Sequence, residues 1–339
     1  MSSKKNSSLV LIVVADSTRT GAPRQLALYI PHLPPAQDIH IACPSGWLAD
    51  TLAESGYCVH ILQSSRKAGA RSLRKIVDEL RPAVIHAHGV RAGYWTVLMN
   101  NSSIPFIYTE HLWTPDFHLE SKFREVLQRK ILRLVCLRAK ELVAVSKSVE
   151  EFLSSSLLAP VNKIRLIYGA VDQVPRTRHE PVNFVVGTLG SLEKTKGIDL
   201  LIRGFAQAEL PSSARLLIGG CGPELASLHR LSQQLGIADQ VVFEGGITDS
   251  TAFYQQLTIY VQASRSESFG MAPLEAALIG VPVVVSDAGA LPEIFPADTA
   301  WSVLRQDSAS IATALNKLCT DKDLRKELSR KGKERAKEF

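Results

Sequence analysis

Residues 266–280 read SESFGMAPLEAALIG, and within them two carboxylates, Glu267 and Glu275, flank a Phe269–Gly270 pair. An ionised carboxylate accepts hydrogen bonds from O–H groups, so two of them suit the paired hydroxyls of a sugar or a ribose. Pro273 fits the first turn of a helix, and Gly280 followed by Pro282 would end it. The amides around Gly270 and Met271 would then point outward from the positive end of that helix, a position that holds a phosphate or a sugar oxygen. Two glutamates at this spacing also describe an ordinary solvated helix face, so the surrounding elements carry the decision.

Short apolar runs recur at 9–15, 39–43, 59–62, 83–87, 106–109, 142–146 and 164–167, then at 184–189, 216–219, 241–244, 259–263 and 281–286. They are rich in Val and Ile and do not alternate, as in strands buried on both faces, and helix-length segments separate them. The pattern predicts an α/β protein of two Rossmann-like domains with parallel sheets, and 339 residues agree with two domains of roughly 150 each. The polar segment from Ala170 to Pro181, with two prolines and no helical stripe, marks the boundary. The expected division is a first domain over 1–172, a linker over 173–181, a second domain over 182–320 and a charged helix over 321–339. Ligands of open parallel sheets sit beyond the carboxyl ends of strands, and clefts between domains are favoured pockets. Residues that follow strands and face an interdomain cleft are therefore the candidates.

Composition narrows the class. With 45% hydrophobic and 21% charged residues, the chain is neither disordered, collagen-like, coiled coil nor a disulfide mini-scaffold. A net charge of +6, from 39 Lys+Arg against 33 Asp+Glu, permits an anionic partner without requiring one. The five cysteines are far apart and form no CxxC pair, which fits a reducing compartment and no zinc site. Lys4 and Lys5 before Leu9 to Ala15 imitate the start of a signal peptide, yet the apolar run is short and leads straight into Asp16, Ser17, Thr18 and Arg19. It reads as a first buried strand. No other run approaches the ~20 apolar residues of a membrane span, so the expected location is cytoplasmic, soluble or peripheral on the inner face of the membrane. No nucleic-acid motif is present. His86 and His88 lack a carboxylate or cysteine at ligand spacing and read as strand-end polar residues rather than a metal site.

Two charged segments leave alternatives open. Residues 120–140 hold seven Lys/Arg against two acids, with Phe123, Val126, Leu127, Ile131, Leu134 and Val135 at helical spacing. Either this stripe packs on the first sheet with the cations in water, or the segment offers a basic surface to anionic lipid or a pyrophosphate-linked acceptor. The closing stretch from Asp321 to Phe339 has eight basic and five acidic residues and reads as an exposed helix.

In the order strand, Glu267, Phe269–Gly270, Pro273, Glu275, helix, Gly-Val-Pro strand, these residues resemble position for position the E-x-F-G-x-x-x-x-E motif of retaining glycosyltransferase family 4, the glycosyl transferases group 1. The resemblance covers most of the chain. Val185 to Phe205 resembles the family's strand, Gly-rich turn (Gly190, Ser191) and KG-initiated helix, with Lys196 and Gly197 where its phosphate-binding Lys-Gly stands. Ile218 to Leu228 resembles its G-x-G-P-E turn through Gly220, Gly222 and Pro223, and Ser286 to Ile294 resembles the loop closing its donor pocket. The first half matches more loosely: Gly21 and Ala22 fit a Gly-Gly-Ala-Glu-like loop near Arg24, and strand-end segments finish at His88 and His111. Lys163 to Asp172 resembles the turn before the linker, with Tyr168 in place of the usual Asn.

The resemblance implies the GT-B fold, with an acceptor-side first domain and a nucleotide-sugar-binding second one. It implies transfer of a hexosyl group from a nucleotide diphosphate sugar, best a uridine nucleotide, to a saccharide or lipid-linked hydroxyl in surface polysaccharide or glycolipid synthesis, with retained configuration. Glu267 would hold the donor sugar, Glu275 the ribose, and Lys196 the leaving diphosphate, aided by amides near Gly190, Gly270 and Met271; His111 would orient a hydroxyl-bearing partner. Catalysis is thus expected from Glu267, Lys196 and His111. Gly190, Ser191, Gly197, Gly220, Gly222, Pro223, Phe269, Gly270, Met271 and Glu275 are expected around the donor, and Gly21, Arg24 and His88 on the acceptor side. No cofactor or metal is implied, and Asp321 and Asp323, a D-x-D pair in a charged helical run, do not stand at a strand end. One departure is Ser191, where the family has an arginine five residues before the lysine; Lys194 or Arg24 would replace that cation. This serine keeps a non-catalytic partner subunit in view; the shared fold keeps a second rival, a UDP-sugar epimerase. The family's last helix often crosses back to the first domain, and this chain reaches Phe339 soon after its charged helix begins, so a natural end and a shortened chain are both open.

Overall fold

A computed structural model describes residues 9–33, 38–99, 104–155, 159–172 and 181–339. The chain forms two compact units, Met1–Ala170 and Val171–Phe339. The expected linker, 173–181, lies outside the described residues except for Pro181, as do Lys4 and Lys5.

The first unit is built on seven strands: β1 (Val10–Val14), β2 (Ile39–Cys43), β3 (Cys58–Ile61), β4 (Val84–His88), β5 (Phe106–Glu110), β6 (Glu141–Ala144) and β7 (Ile164–Leu166). They pair in the order β3-β2-β1-β4-β5-β6-β7, every pair parallel. Ile12 on β1 stands opposite Ile41 on β2 and His86 on β4. Ile12, Val14, Ile39 and Ile41 pack under Leu26, Leu48 and Leu52 of two crossover helices and under Ile30, which follows the first of them. Burial on both faces explains why these strands read as continuous apolar runs.

The second unit holds β8 (Val185–Leu189), β9 (Arg215–Gly219), β10 (Val241–Gly245), β11 (Ile259–Gln262), β12 (Val283–Ser286) and β13 (Trp301–Val303). Their order is β10-β9-β8-β11-β12-β13, again parallel throughout. Val186, Ile218, Ile259, Val261 and Val284 are among the sheet residues of a core closed by Leu201, Phe205, Ile311 and Leu315. The apolar pattern does not predict the edge strand β13, because three residues carry too little periodicity to stand out.

Strand order reverses between β1 and β4 in one sheet and between β8 and β11 in the other. At such a switch point the loops leaving adjacent strands diverge to opposite faces and open a crevice at their carboxyl ends. Lys196 follows β8 and Glu267 follows β11, so the residues with chemical promise leave the two strands that border the switch.

One expectation is corrected and one open alternative is narrowed. The closing helix, Lys322–Ala336, is not exposed along its length: Leu328, Gly332 and Ala336 are buried, and the Ser329 hydroxyl donates to the Gly280 carbonyl at 2.7 Å. Leu324, Leu328, Gly332 and Ala336 recur every fourth residue, a narrow seam that the many charges mask. In the helix Lys122–Arg138 the inward residues are Leu132, Val135 and Cys136, whereas Phe123, Val126, Leu127 and Leu134 point into solvent. Of the apolar stripe at helical spacing, Val135 alone is fully buried.

Candidate functional site

The second unit brings its predicted groups together. Lys196 closes a short 3-10 turn, Lys194–Lys196, and Gly197 (φ +63°) opens the helix Ile198–Gln207. A Cβ on Gly197 would stand 1.9 Å from the Ala263 carbonyl oxygen, so only glycine lets this turn lie against the end of β11. There the Lys196 ammonium donates to Glu267 Oε2 at 2.8 Å, across 71 residues of sequence.

Glu267 is nearly buried, and its charge is met by more than the lysine. Gln262 Nε2 and Ser264 Oγ both donate to the same Oε2 at 3.1 Å, and Tyr260 fixes the amide by donating to Gln262 Oε1 at 2.6 Å. Gly289 (φ +55°) passes so close that a Cβ would be 2.0 Å from the Glu267 carbonyl, while the Ala290 amide donates to that carbonyl at 2.8 Å. The loop 286–294 thus clamps the glutamate from its backbone side.

Arg265 braces the same turn from outside. Its guanidinium grips Asp199 with two hydrogen bonds of 2.7 and 2.8 Å and also donates to the Lys194 carbonyl at 2.8 Å. Burial opposes ionisation of Asp199, yet the arginine holds its carboxyl below the usual range. This cation is committed to structure and does not stand in for the arginine that Ser191 replaces.

Gly270 (φ +94°) caps the helix Met271–Ile279, whose first turn leaves amides without intrahelical acceptors. Glu275 lies one turn in, half-buried, and accepts from the Tyr254 hydroxyl at 2.9 Å. Phe269 is buried with its ring edge-on to Phe339 at 5.8 Å, so its side chain packs within the unit. The Gly190 amide donates to Gly219 O at 3.1 Å, which commits it to backbone pairing instead of the expected anion contact. Ser191 is half-buried beside it. Gly220 and Gly222 lie against the carbonyls of Gly190 and Leu192, and Pro223 follows in the turn into the helix Leu225–Gln234. Among the described residues no cluster of His, Cys, Asp or Glu could hold a metal ion.

In the first unit Gly21 and Arg24 lie in the opening turn of a helix, Gly21–Tyr29, rather than in a free loop. A histidine cluster joins the ends of β4 and β5. His88 Nε2 meets the Tyr29 hydroxyl at 3.1 Å, and its Nδ1 meets His111 Nε2 at 3.0 Å; His86 bonds Thr109 Oγ1 at 2.8 Å. With Tyr29 donating, His88 donates onward to His111, whose own proton stays on Nδ1. Glu110 fixes the backbone there: its buried carboxylate accepts the amides of His111, Leu112 and Trp113 and the Tyr108 hydroxyl. Burial raises its pKa, and those hydrogen bonds pull the other way.

Burial pulls His111 down to about 3 and His86 to about 4, and holds His88 well below the ordinary value, with neighbouring histidines adding to the effect. Unfolded histidines take up protons near pH 6.5. The stabilisation from these neutral rings is therefore complete above that pH and is lost as pH falls toward about 4. The urea midpoint of the first unfolding transition should drop between about pH 7 and about pH 5, and His111→Gln should shrink that drop. An identical drop in the variant would contradict the assignment.

Sequence reasoning missed Gln262, Ser264, Tyr254, Arg265 with Asp199, Glu110 and Tyr29. Each acts through a partner, and of these Gln262 and Ser264 could have been found from their i, i+2 placement at the end of the strand that leads to Glu267.

Comparison with known proteins follows the same division of the chain. The sequence model for Glycosyltransferase Family 4 matches residues 62–173, and that for Glycosyl transferases group 1 matches residues 172–335. An uncharacterized glycosyltransferase of Methanocaldococcus jannaschii is 30% identical over 200 residues, covering 53% of this chain and 51% of that protein. The capsular polysaccharide biosynthesis glycosyltransferase CapM of Staphylococcus aureus is 27% identical over 216 residues, 58% of this chain and 57% of its own. These matches span about half the length of the relatives. The crystal structure of Anabaena HepE in complex with UDP and glucose has a TM-score of 0.82 at 19% identity, covering 97% of this chain and 95% of that one, which establishes the fold. Two parallel α/β units of this kind define the GT-B architecture. The chain belongs to the family 4 glycosyltransferases of group 1.

Proposed function

We propose that this protein transfers a hexosyl group from a uridine diphosphate sugar to a hydroxyl of a saccharide or lipid-linked acceptor, with retained anomeric configuration, in the synthesis of surface polysaccharide or glycolipid. The observation that carries the reading is the Lys196–Glu267 pair, held at 2.8 Å at the switch point of the second sheet. Support for the donor comes from the Anabaena structures, which contain UDP, UDP with glucose, and UDP-glucose. Support for the pathway comes from relatives in capsule and lipopolysaccharide core synthesis.

In this reading Lys196 leaves Glu267 for the departing diphosphate, and the amides at Gly270 and Met271 take its remaining charge. Glu267 then accepts from the sugar hydroxyls, with Gln262 and Ser264 still holding its carboxylate in place. Glu275, kept by Tyr254, accepts from the ribose, and His111 offers a neutral ring to a hydroxyl. The glycosyl carbon passes through an oxocarbenium-like state, and the leaving phosphate takes the acceptor proton on the same face. Charge on the diphosphate is met by the protein alone.

Incubation with UDP-hexoses and a saccharide acceptor should release UDP and give an α-linked product from an α-linked donor, with EDTA making no difference. A β-linked product, or a loss restored by manganese, would overturn the mechanism. Ser191 favours a second reading, a partner subunit without activity, which sugar transfer by the purified chain excludes. An epimer formed from donor alone would mark the third.

A further inference from the structure

We propose that the outer face of the Lys122–Arg138 helix is a docking surface for an anionic lipid bilayer. The helix starts at Ser121, whose hydroxyl accepts the Arg124 amide, and its end is tied by Lys163 donating to the Leu137 and Ala139 carbonyls. Its inner side is settled by Leu132, Val135 and Cys136, with Val135 against Gly93, where even a Cβ would stand 2.6 Å from its methyl. Arg129 also turns inward, over the rings of Trp113 and Phe152.

At about 100° per residue, Val126, Leu137, Lys130, Phe123, Leu134 and Leu127 fall within one arc on the opposite side. Five of them are apolar and lie in water, from Leu134 at 38% exposed to Phe123 at 78%. Lys122 and Arg133 run along one edge of this arc, Arg138 and Arg124 along the other. The helix's single acid, Glu125, faces away, toward Arg129 and the Leu119 amide.

Contiguous exposed apolar side chains mark a contact surface, and the rim states the chemistry of the contact. A strip bordered on both sides by one sign of charge, with Lys130 in its middle, repels a second copy of itself. A bilayer meets both parts at once: the five apolar side chains enter the acyl boundary, while the long Lys and Arg stems reach back to lipid phosphates. The surface lies on a different unit and different residues from the nucleotide site, so it goes beyond the donor reading and stands or falls separately.

The test is co-sedimentation of the full chain with vesicles of phosphatidylcholine alone and of phosphatidylcholine with phosphatidylglycerol. Binding to the anionic vesicles at low salt, released by high salt, is expected. Lys130→Glu with Arg133→Glu should weaken it by roughly 25-fold or more, and Phe123→Ser with Leu134→Ser should abolish it. All variants should keep the wild-type thermal response to UDP, which reports an intact fold; if no chain responds to UDP, the unchanged far-ultraviolet dichroism of the variants serves instead. Equal binding to both vesicle types, no binding to either, or binding indifferent to the charge reversals would overturn the proposal. So would a dimer in sedimentation equilibrium that Phe123→Ser dissolves.

Discussion

Lys196→Ala lowers the rate of sugar transfer by about 10²- to 10³-fold, the scale seen when one preorganised donor to a developing negative charge is removed. The ammonium is one-quarter exposed and rests 2.8 Å from Glu267, so it stands at the strand end before any ligand arrives and exchanges that carboxylate for the diphosphate. The fold should survive, because Glu267 keeps its contacts with Gln262 and Ser264 and the Lys194–Lys196 turn keeps Arg265. Initial rates at saturating donor, beside an unchanged melting curve, are the check. Transfer within tenfold of wild type would remove Lys196 from the catalytic account.

Gly197→Ala should fail at an earlier step. A residue with φ near +63° costs about 1–3 kcal/mol when glycine is lost. The added methyl would also collide with the Ala263 carbonyl at 1.9 Å, a backbone group that cannot swing away. A total of about 3 kcal/mol lowers the melting temperature by roughly 6–12 °C for domains of this size. Gly190→Ala is the matched control: a Cβ there would meet no atom within 4 Å, so its melting curve should hardly move. A Gly197→Ala protein as stable as the control would mean that the turn can rebuild around the methyl.

Most of the architecture was legible because parallel strands buried on both faces leave an uninterrupted apolar signature, from Leu11 to Val285. Trp301–Val303 escaped because three residues on a sheet edge carry no comparable pattern. The packing side of the Lys122–Arg138 helix stayed open in the sequence, since apolar residues stand on both of its faces and spacing alone does not say which set meets the sheet. The glutamate motif was visible as a local string. Lys196 was visible too, in its own Lys-Gly string, but its pairing with Glu267 across 71 residues and the amide set by Tyr260 were not. The histidine cluster shows the same limit. His88 and His111 each looked like a strand-end residue, and only the pairing of β4 with β5 brings their rings within hydrogen-bond distance.

The central claim is that the second unit holds a uridine nucleotide through Lys196, and a calorimetric titration of UDP into the wild-type chain and into Lys196→Ala tests it most directly. The account predicts saturable binding to wild type, unchanged by EDTA, and at least about tenfold weaker binding to the variant, a difference of about 1.4 kcal/mol. No binding of UDP to wild type, or equal affinity for both proteins, would contradict it.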